Sequence, residues 1–421
     1  MSFLTAPGFP EREVRARARA AAGSAFPEYE RYSWTLFGQG YDAVAPNPHA
    51  PDAIDRARLV PPVFVPLREE KMFDLGREPL AGDVDPTTTI GGLRSTLPVY
   101  VSAFGSTAVA DGDLGDVVAR QAGAAGVPMV IGENIVPVSG YGRMEQERPS
   151  SLLRRLTEYT KNAPEDVGGV IVQQSTEDAD AEVWNLVYSD PASEPLLVTG
   201  RLGFELKVGQ GAKPGLGGMT LIPRERAADL SAQYDIVDIY DGPAAPVLRS
   251  ATPGTFTNEI LRQQIRLMRN NYPRCRIWVK LPPARDVADA AEVAWAAGAD
   301  AVTVDGAEGG AGWAPRAFLD HVGLPLAECL RRVADRERHG HSLLVSGRCW
   351  EGARVVKCLA LGASAVGLGR AALVAADEDA DQGLTNLLAC LNLELRLLVS
   401  ALGKYRIEDL NVEDVWLSPG T

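Results

Sequence analysis

From residue 97 onward, short runs of β-branched and aliphatic residues alternate with segments whose apolar positions recur at helical spacing. The runs are LPVYVSA (97–103), PMVIG (128–132), GVIVQQ (169–174), FELKV (204–208), IWVKL (277–281), AVTVD (301–305), SLLVS (342–346) and AVGLG (365–369). Most are too apolar to be half exposed, as strands of a parallel sheet covered on both faces must be. Between them DVADAAEVAWAAG (286–298), LPLAECLRRVADRER (324–338) and WEGARVVKCLALG (350–362) read as helices. Eight strands, each with a crossover, predict an α/β chain of the (β/α)8 TIM-barrel class. An open doubly wound sheet would place its glycine-rich turn after the first strand. Here the glycines gather after the sixth, seventh and eighth.

The flanks read differently. Residues 1–90 are rich in Pro, Arg and Asp and predict a wrapping segment with a helix or two; EREVRARARA (11–20) reads as a solvated helix. The barrel is expected over 91–376 and a C-terminal helical tail over 377–421, where LTNLLACLNLELRLLVSALG (384–403) has helical periodicity ending at Gly403. The interval 209–276 is long for one crossover. Its first half, including YDIVDIYDGPAAPVLRSATPG, reads as irregular and folded over a barrel mouth, and TNEILRQQIRLMRN (257–270) as the outer helix capped by Thr257.

Charge narrows the partners. With 42 basic and 55 acidic residues the formal net charge is −13, which argues against nucleic acid or an anionic membrane as the main partner. The first thirty residues lack the order of a signal peptide, and no unbroken apolar run approaches the roughly 18–20 residues of a bilayer span. Five scattered cysteines without a CxxC predict reduced thiols and a cytoplasmic protein, with no disulfide framework and no zinc site. His339 and His341 alone among the four histidines have close spacing, in a polar turn that reads as surface.

The candidate chemistry sits where a barrel keeps it, at the carboxyl ends of the strands, with phosphate held after the seventh and eighth. Those ends read LLVSGRCWEG and AVGLGRAAL. Gly347 and Gly352, then Gly367 and Gly369, let the backbone approach an anion, each loop enters a helix N-terminus, and Arg348 and Arg370 are placed to add charge-assisted hydrogen bonds. Lys280 stands at even spacing from Trp278 and so points into the barrel. Unpaired burial there is costly, and two partners offer themselves: the electron-rich edge of a reduced flavin, or a salt bridge to Asp305. Ser102, Ala103, Gly105 and Ser106 after the first strand leave room for a flat ring. Glu133 and Asn134 end the second strand, Gln173 or Gln174 the third, and Asp305 and Glu308 the sixth.

Several phrases together resemble the FMN-binding synthase domain of glutamate synthases, including its stand-alone relatives and the flavin subunit of N-methylglutamate synthase. They are TTTIGG (87–92), IGEN (131–134), ELKVGQGAKPGLGG (205–218), WVKL (278–281), DGAEGGAG (305–312) and SGRCWEGARVVKCLALGASAVGLGRAAL (346–373). The resemblance implies FMN held by Ser102, Ala103, Phe104, Gly105, Glu133, Gln173 and Lys280 on one side. Asp305, Gly309, Gly310, Ser346, Gly347, Arg348, Gly367, Leu368, Gly369 and Arg370 complete the implied shell. Glu133 falls on the acidic residue beside the substrate. Lys207 and Lys213 fall on the lysines of the GQGAKPG loop, which with Asn134 would meet substrate. Glu133, Lys280, Glu308 and Lys213 are the implied catalytic residues.

Departures qualify the analogy. The family's three-cysteine iron–sulfur run after the eighth strand is absent, as are a glutaminase domain and an N-terminal nucleophilic cysteine, so no one-electron relay and no glutamine hydrolysis are expected. A 2-hydroxy-acid oxidase needs a histidine after the sixth strand, which VDGAEGGAG lacks. An inosinate-dehydrogenase-like enzyme needs a loop cysteine at the mouth, whereas Cys349 lies on the phosphate side. The expectation is an FMN-dependent oxidoreductase of specialised small-molecule biosynthesis. It would act on the C–N bond of a small substrate bearing amino or carboxylate groups, as a homo-oligomer or with partner subunits. The alternatives are the flavin subunit of an N-methylglutamate-synthase-type complex and a non-catalytic flavin-binding barrel.

Overall fold

In the computed structural model, residues 4–27, 29–31, 33–36, 38, 52–104, 113–132, 151–175, 182–211, 219–232, 234–250, 256–310 and 314–417 are described. Eight parallel strands close into a barrel: β1 Val99–Val101, β2 Met129–Ile131, β3 Val170–Ser175, β4 Leu202–Lys207, β5 Arg276–Leu281, β6 Ala301–Asp305, β7 Ser342–Ser346 and β8 Ala365–Leu368. Every apolar run seeds one strand, because residues apolar on both faces find cover only between a barrel core and an outer helical layer. β8 pairs back onto β1 with Gly367 opposite Tyr100, and closure removes the sheet edges.

Two cores result. Outward-facing residues such as Val101, Val172, Phe204, Val279 and Val304 meet the surrounding helices. The barrel's lower interior is packed by Tyr100, Val130, Ile171, Trp278, Ala301, Leu344 and Ala365, with Ile90 and Leu93 inserted from below. Those two belong to a hairpin, Thr88–Ile90 against Leu93–Ser95, that plugs the amino end. It is fastened by Trp278 Nε1 donating to the Gly91 carbonyl at 3.1 Å and Gly91 N–H donating to Ser342 Oγ at 2.9 Å. Above this plug the described inward-facing side chains of β3 to β7 are polar.

The outer helices fall where the periodicity places them: Asn258–Asn271, Val287–Ala296, Leu326–Val333 and Gly352–Ala360. Thr257 Oγ1 accepts the Ile260 N–H at 3.3 Å and caps the first of these. The β4–β5 connection departs from the sequence reading. Rather than irregular chain, Met219–Ile222, Asp235–Val237 and Val247–Ser250 form a small antiparallel sheet with the last strand central.

The N-terminal helix Glu11–Ala20 also differs from expectation, being docked rather than solvated. Val14 and Ala18 are fully buried. Arg15 reaches Asp377 at 2.9 Å and Glu378 at 3.0 Å, and Arg17 reaches Glu394 at 2.7 Å. It packs on Arg370–Glu378 and Gly383–Ala401. The latter helix, 19 residues, is long and apolar enough to cross a membrane by length and composition. Asn386, Asn392, Glu394 and Arg396 break its apolar run in sequence, and Leu384, Leu387, Leu391 and Leu395 are buried against the rest of the chain, as in a core helix. Arg58–Leu59 pairs with Val415–Trp416, joining the two flanks. His339 is exposed, and among the described residues no group of His, Cys, Asp and Glu could hold a metal. All five cysteines are buried thiols.

Candidate active site

Strand alternation builds the site. Residues one pleat above the apolar plug face the same interior, so Gln173, Glu205, Lys280, Thr303, Asp305 and Ser346 converge from β3 to β7. Lys280 Nζ lies 3.2 Å from Asp305 Oδ2, with each side chain 7% exposed. Ser346 Oγ donates to the other Asp305 oxygen. Beside this pair, Gln173 Nε2 donates to Glu205 Oε2, and Thr303 Oγ1 donates to Glu205 Oε1 at 3.1 Å. One ammonium and two carboxyl groups therefore share a buried polar layer. Burial pushes the Glu205 carboxyl up from its ordinary value; Lys280 opposes that rise without cancelling it. Burial, with Glu205 and Asp305 nearby, likewise holds the Tyr100 phenol well above its usual range.

Sequence reasoning missed Glu205. The signal was there: in FELKV, Glu205 and Lys207 alternate with Phe204 and Leu206, so the polar residues share the inner face. The same alternation decides between two glutamines. Gln173 faces the interior, whereas Gln174 Nε2 turns back to the Gln173 carbonyl.

The wall from β8 to β1 is open to a flat ligand for a steric reason. A Cβ on Gly367 would meet Ser102 Oγ at 2.2 Å and the Tyr100 ring at 2.8 Å. The Tyr100 and Ser102 hydroxyls are buried beside one another, with Thr303 also next to the phenol, yet neither makes a well-formed hydrogen bond among the described residues. Such unsatisfied groups cost free energy unless a ligand engages them. Ser102 N–H donates to the Leu368 carbonyl at 3.1 Å, while the Leu368 side chain belongs to the outer core. Ala103 borders the inner core, and the Phe104 ring lies under the Arg155 guanidinium at 4.9 Å.

The loops after β6, β7 and β8 meet as a Gly-lined cradle. Gly306 N–H donates to the Ser346 carbonyl at 2.8 Å, and a Cβ on Gly309 would sit 3.9 Å from the Gly347 Cα. Gly369 precedes the helix Arg370–Glu378, whose first N–H groups face this side. Arg370 donates to the Glu308 carbonyl at 2.7 Å and stacks over Phe9 at 4.6 Å. Burial and the neighbouring Arg348 charge push its guanidinium down to about 10. Two neighbouring guanidinium groups, one of them engaged among the described residues only by a carbonyl and a ring, fit a dianion such as a phosphate. The poorly satisfied hydroxyls, the side-chain-free wall and this cationic cradle together fit FMN.

Two sequence-assigned residues, Arg348 and Glu308, have other employment. Arg348 adopts φ 55° and is held there by Asp55 Oδ2 at 3.1 Å and the Gly8 carbonyl at 2.7 Å. It braces the N-terminal segment, and its charge is felt by Arg370. Glu308 accepts the Leu326 N–H with both oxygens, at 3.2 and 3.0 Å, and so caps the helix that starts there; burial, with Asp52 nearby, pushes its carboxyl up. This capping contact stands where the sequence suggested proton handling. Cys349 is sealed, its thiol directed at the Gly347 carbonyl at 3.3 Å. Lys207 donates to Gln210 Oε1 at 3.3 Å, at the start of the GQGAKPG loop. That loop reaches the cradle, since Gly211 at φ 33° lies where a Cβ would strike the Gly310 carbonyl at 2.3 Å. Gly105, Glu133, Asn134 and Lys213 lie outside the described residues.

A second buried ionic group was also invisible in the sequence. Arg354, fully buried, donates to Asp52 Oδ1 at 2.9 Å, to Asp55 Oδ1 at 2.6 Å and to the Gly347 carbonyl at 2.9 Å. It ties the N-terminal segment to the loop after β7. A cavity of about 610 Å³ between Gly82–Thr87, Thr96, Thr385 and Arg396 lies by the amino end of β1, away from this chemistry. Its charged groups already serve the fold: Asp83 pairs with Arg77, and Arg396 binds the Gly82 and Val84 carbonyls.

Comparison with known proteins agrees with this geometry. Residues 194–380, spanning β4 to β8, match the model described as the conserved region in glutamate synthase. The archaeal-type glutamate synthase [NADPH] of Thermotoga neapolitana is 35% identical over 178 residues, 41% of this chain and 34% of that protein. A glutamate synthase large subunit-like protein of Rhizobium meliloti is 36% identical over 178 residues, 41% of this chain and 39% of that one. The chain thus matches little more than a third of the length of these glutamate synthase relatives. Among solved structures, a mandelate oxidase mutant with a monooxide FMN adduct superposes with a TM-score of 0.54 at 20% identity, covering 87% of this chain and 90% of that one. At that identity the likeness establishes the barrel fold.

Proposed function

We propose that the chain is an FMN-dependent, glutamate-synthase-like oxidoreductase acting on the C–N bond of an amino-acid-like substrate, by imine reduction or amine oxidation. The side-chain-free wall at Gly367 beside the glycine cradle and its Arg370 carries this reading. Lys280 is found in the salt bridge to Asp305 that the sequence offered as the alternative to a flavin partner. FMN, when bound, would supply hydride transfer to or from the substrate carbon. The family-model match over residues 194–380 and the glutamate synthase relatives support the assignment, as does FMN in a structural neighbour.

The chain's own residues divide the work. Arg370, the loops at Gly347 and Gly369, and the helix that follows would hold the phosphate. Ser102 and Gly367 would line the ring, and Gln173 its pyrimidine side. Lys280 would place positive charge against the electron-rich edge, and Asp305, fixed by Ser346, holds that ammonium in place. Lys207, Lys213, Glu133 and Asn134 are the proposed substrate contacts, which suits a small molecule with amino or carboxylate groups.

The test is a visible spectrum of the purified protein, followed by FMN titration of the apo-protein. Flavin bands that bleach anaerobically with an amino acid, or reoxidise with an imine, support the enzyme. A protein that stays colourless and takes up no FMN defeats the proposal. Bound FMN that no amino or 2-oxo acid perturbs would favour a non-catalytic flavin barrel instead.

A further inference from the structure

The polar layer contains one carboxyl group to which the proposed function gives no task. Glu205 is 1% exposed, and its two oxygens serve different strands: Gln173 of β3 on Oε2, Thr303 of β6 on Oε1. Lys280, Asp305 and Tyr100 are the other titratable groups that face it. A carboxylate accepts hydrogen bonds and cannot donate them. The only part of a glutamine amide that satisfies it is the NH2 end. Gln173 is thereby oriented: Nε2 is committed to Glu205, and the Oε1 carbonyl is the end that remains to serve a ligand. The hydrogen-bond network decides which way a side-chain amide points, and here Glu205 is the deciding member. A proton on Oε1, passed toward Thr303 Oγ1, would leave the orientation unchanged.

We propose that Glu205 is a positioning residue of the ring site, holding Gln173 with its carbonyl oxygen presented to the cofactor as an acceptor for a ring N–H. The inference rests on the FMN reading above. The pyrimidine edge of an isoalloxazine has one N–H between two carbonyl oxygens, so an acceptor and a donor at residue 173 would select different registers of the ring. Glu205 thus sets which register the barrel accepts while touching no ligand itself.

The experiment is a double-mutant cycle on apo-protein, read as the FMN dissociation constant from flavin fluorescence quenching. Glu205→Leu and Gln173→Ala should each weaken FMN by roughly 3- to 10-fold, the worth of one neutral hydrogen bond. The double variant should be no weaker than either alone, because one residue acts through the other. Glu205→Gln, which can still accept from Gln173 and bond Thr303, should bind within about 2-fold of the parent, a range small beside one hydrogen bond. A second probe is FMN methylated at the pyrimidine nitrogen. The parent should prefer FMN over it, and Gln173→Ala and Glu205→Leu should lose that preference together. Additive losses, a Glu205→Gln defect equal to that of Glu205→Leu, or an undiminished preference in Glu205→Leu would each overturn the role of Glu205. These outcomes leave the FMN reading standing. An apo-protein that binds neither ligand overturns both.

Discussion

Lys280 and Asp305 face each other across β5 and β6, 3.2 Å apart and nearly sealed from solvent, with Ser346 holding the far carboxylate oxygen. Buried pairs of this kind add little net stability over an apolar pair, but losing one partner is costly. Lys280→Met should therefore destabilise the apo-protein by about 3–5 kcal/mol in urea unfolding. Replacing Asp305 by Leu as well should recover most of that loss. If FMN is loaded into the single variant, its reduction potential should fall below that of the parent. An unchanged potential would remove Lys280 from the chemistry.

Glu205 predicts a pH signature of stability. Burial raises its folded value above the ordinary 4.5, so the folded chain binds that proton more tightly than the unfolded one. Its contribution is present below the ordinary value and is lost as pH rises through the raised one. Unfolding midpoints of Glu205→Gln should lack this loss, so the variant gains on the parent with rising pH. Parallel curves across that window would contradict the assignment.

Arg370→Met tests the cradle. Removing one charge-assisted hydrogen bond should weaken FMN by roughly 10- to 150-fold. Riboflavin, which has no phosphate, should bind both proteins alike. Equal losses for the two ligands would move the phosphate elsewhere.

Gly367→Ala places a methyl group 2.2 Å from Ser102 Oγ and 2.8 Å from the Tyr100 ring. Overpacking of this kind costs about 1–3 kcal/mol. Because the methyl also narrows the wall proposed for the ring, FMN affinity should fall by more than thermal stability does. Calorimetry of apo and loaded forms separates the two.

Arg354→Met should loosen the N-terminal segment. Burial opposes the charge of Asp52, but the bonded Arg354 outweighs it and holds the carboxyl below its usual value. That stability is present above the ordinary value of 3.8 and fades as pH falls through the depressed one. In the parent, limited proteolysis near residues 52–57 should rise only in acid; in Arg354→Met it should be high at neutral pH.

The sequence alone determined the eight strands, the outer helices and the inward direction of Lys280, because burial on two faces and a period of two are written locally along each run. It also located the glycine-lined ends of β6, β7 and β8. Only the tertiary structure decided which charges meet. Arg348 looked like a phosphate ligand until Asp55 and Gly8, far off in the chain, took up its guanidinium. Nothing local marked Arg354 as the partner of Asp52 and Asp55, about 300 residues earlier in the chain. Glu205 passed unnoticed beside Lys207 because its partners, Gln173 and Thr303, arrive on other strands. Periodicity tells a side chain which face it takes, whereas barrel closure and the wrapping of the ends choose its partner, and no local pattern records that choice.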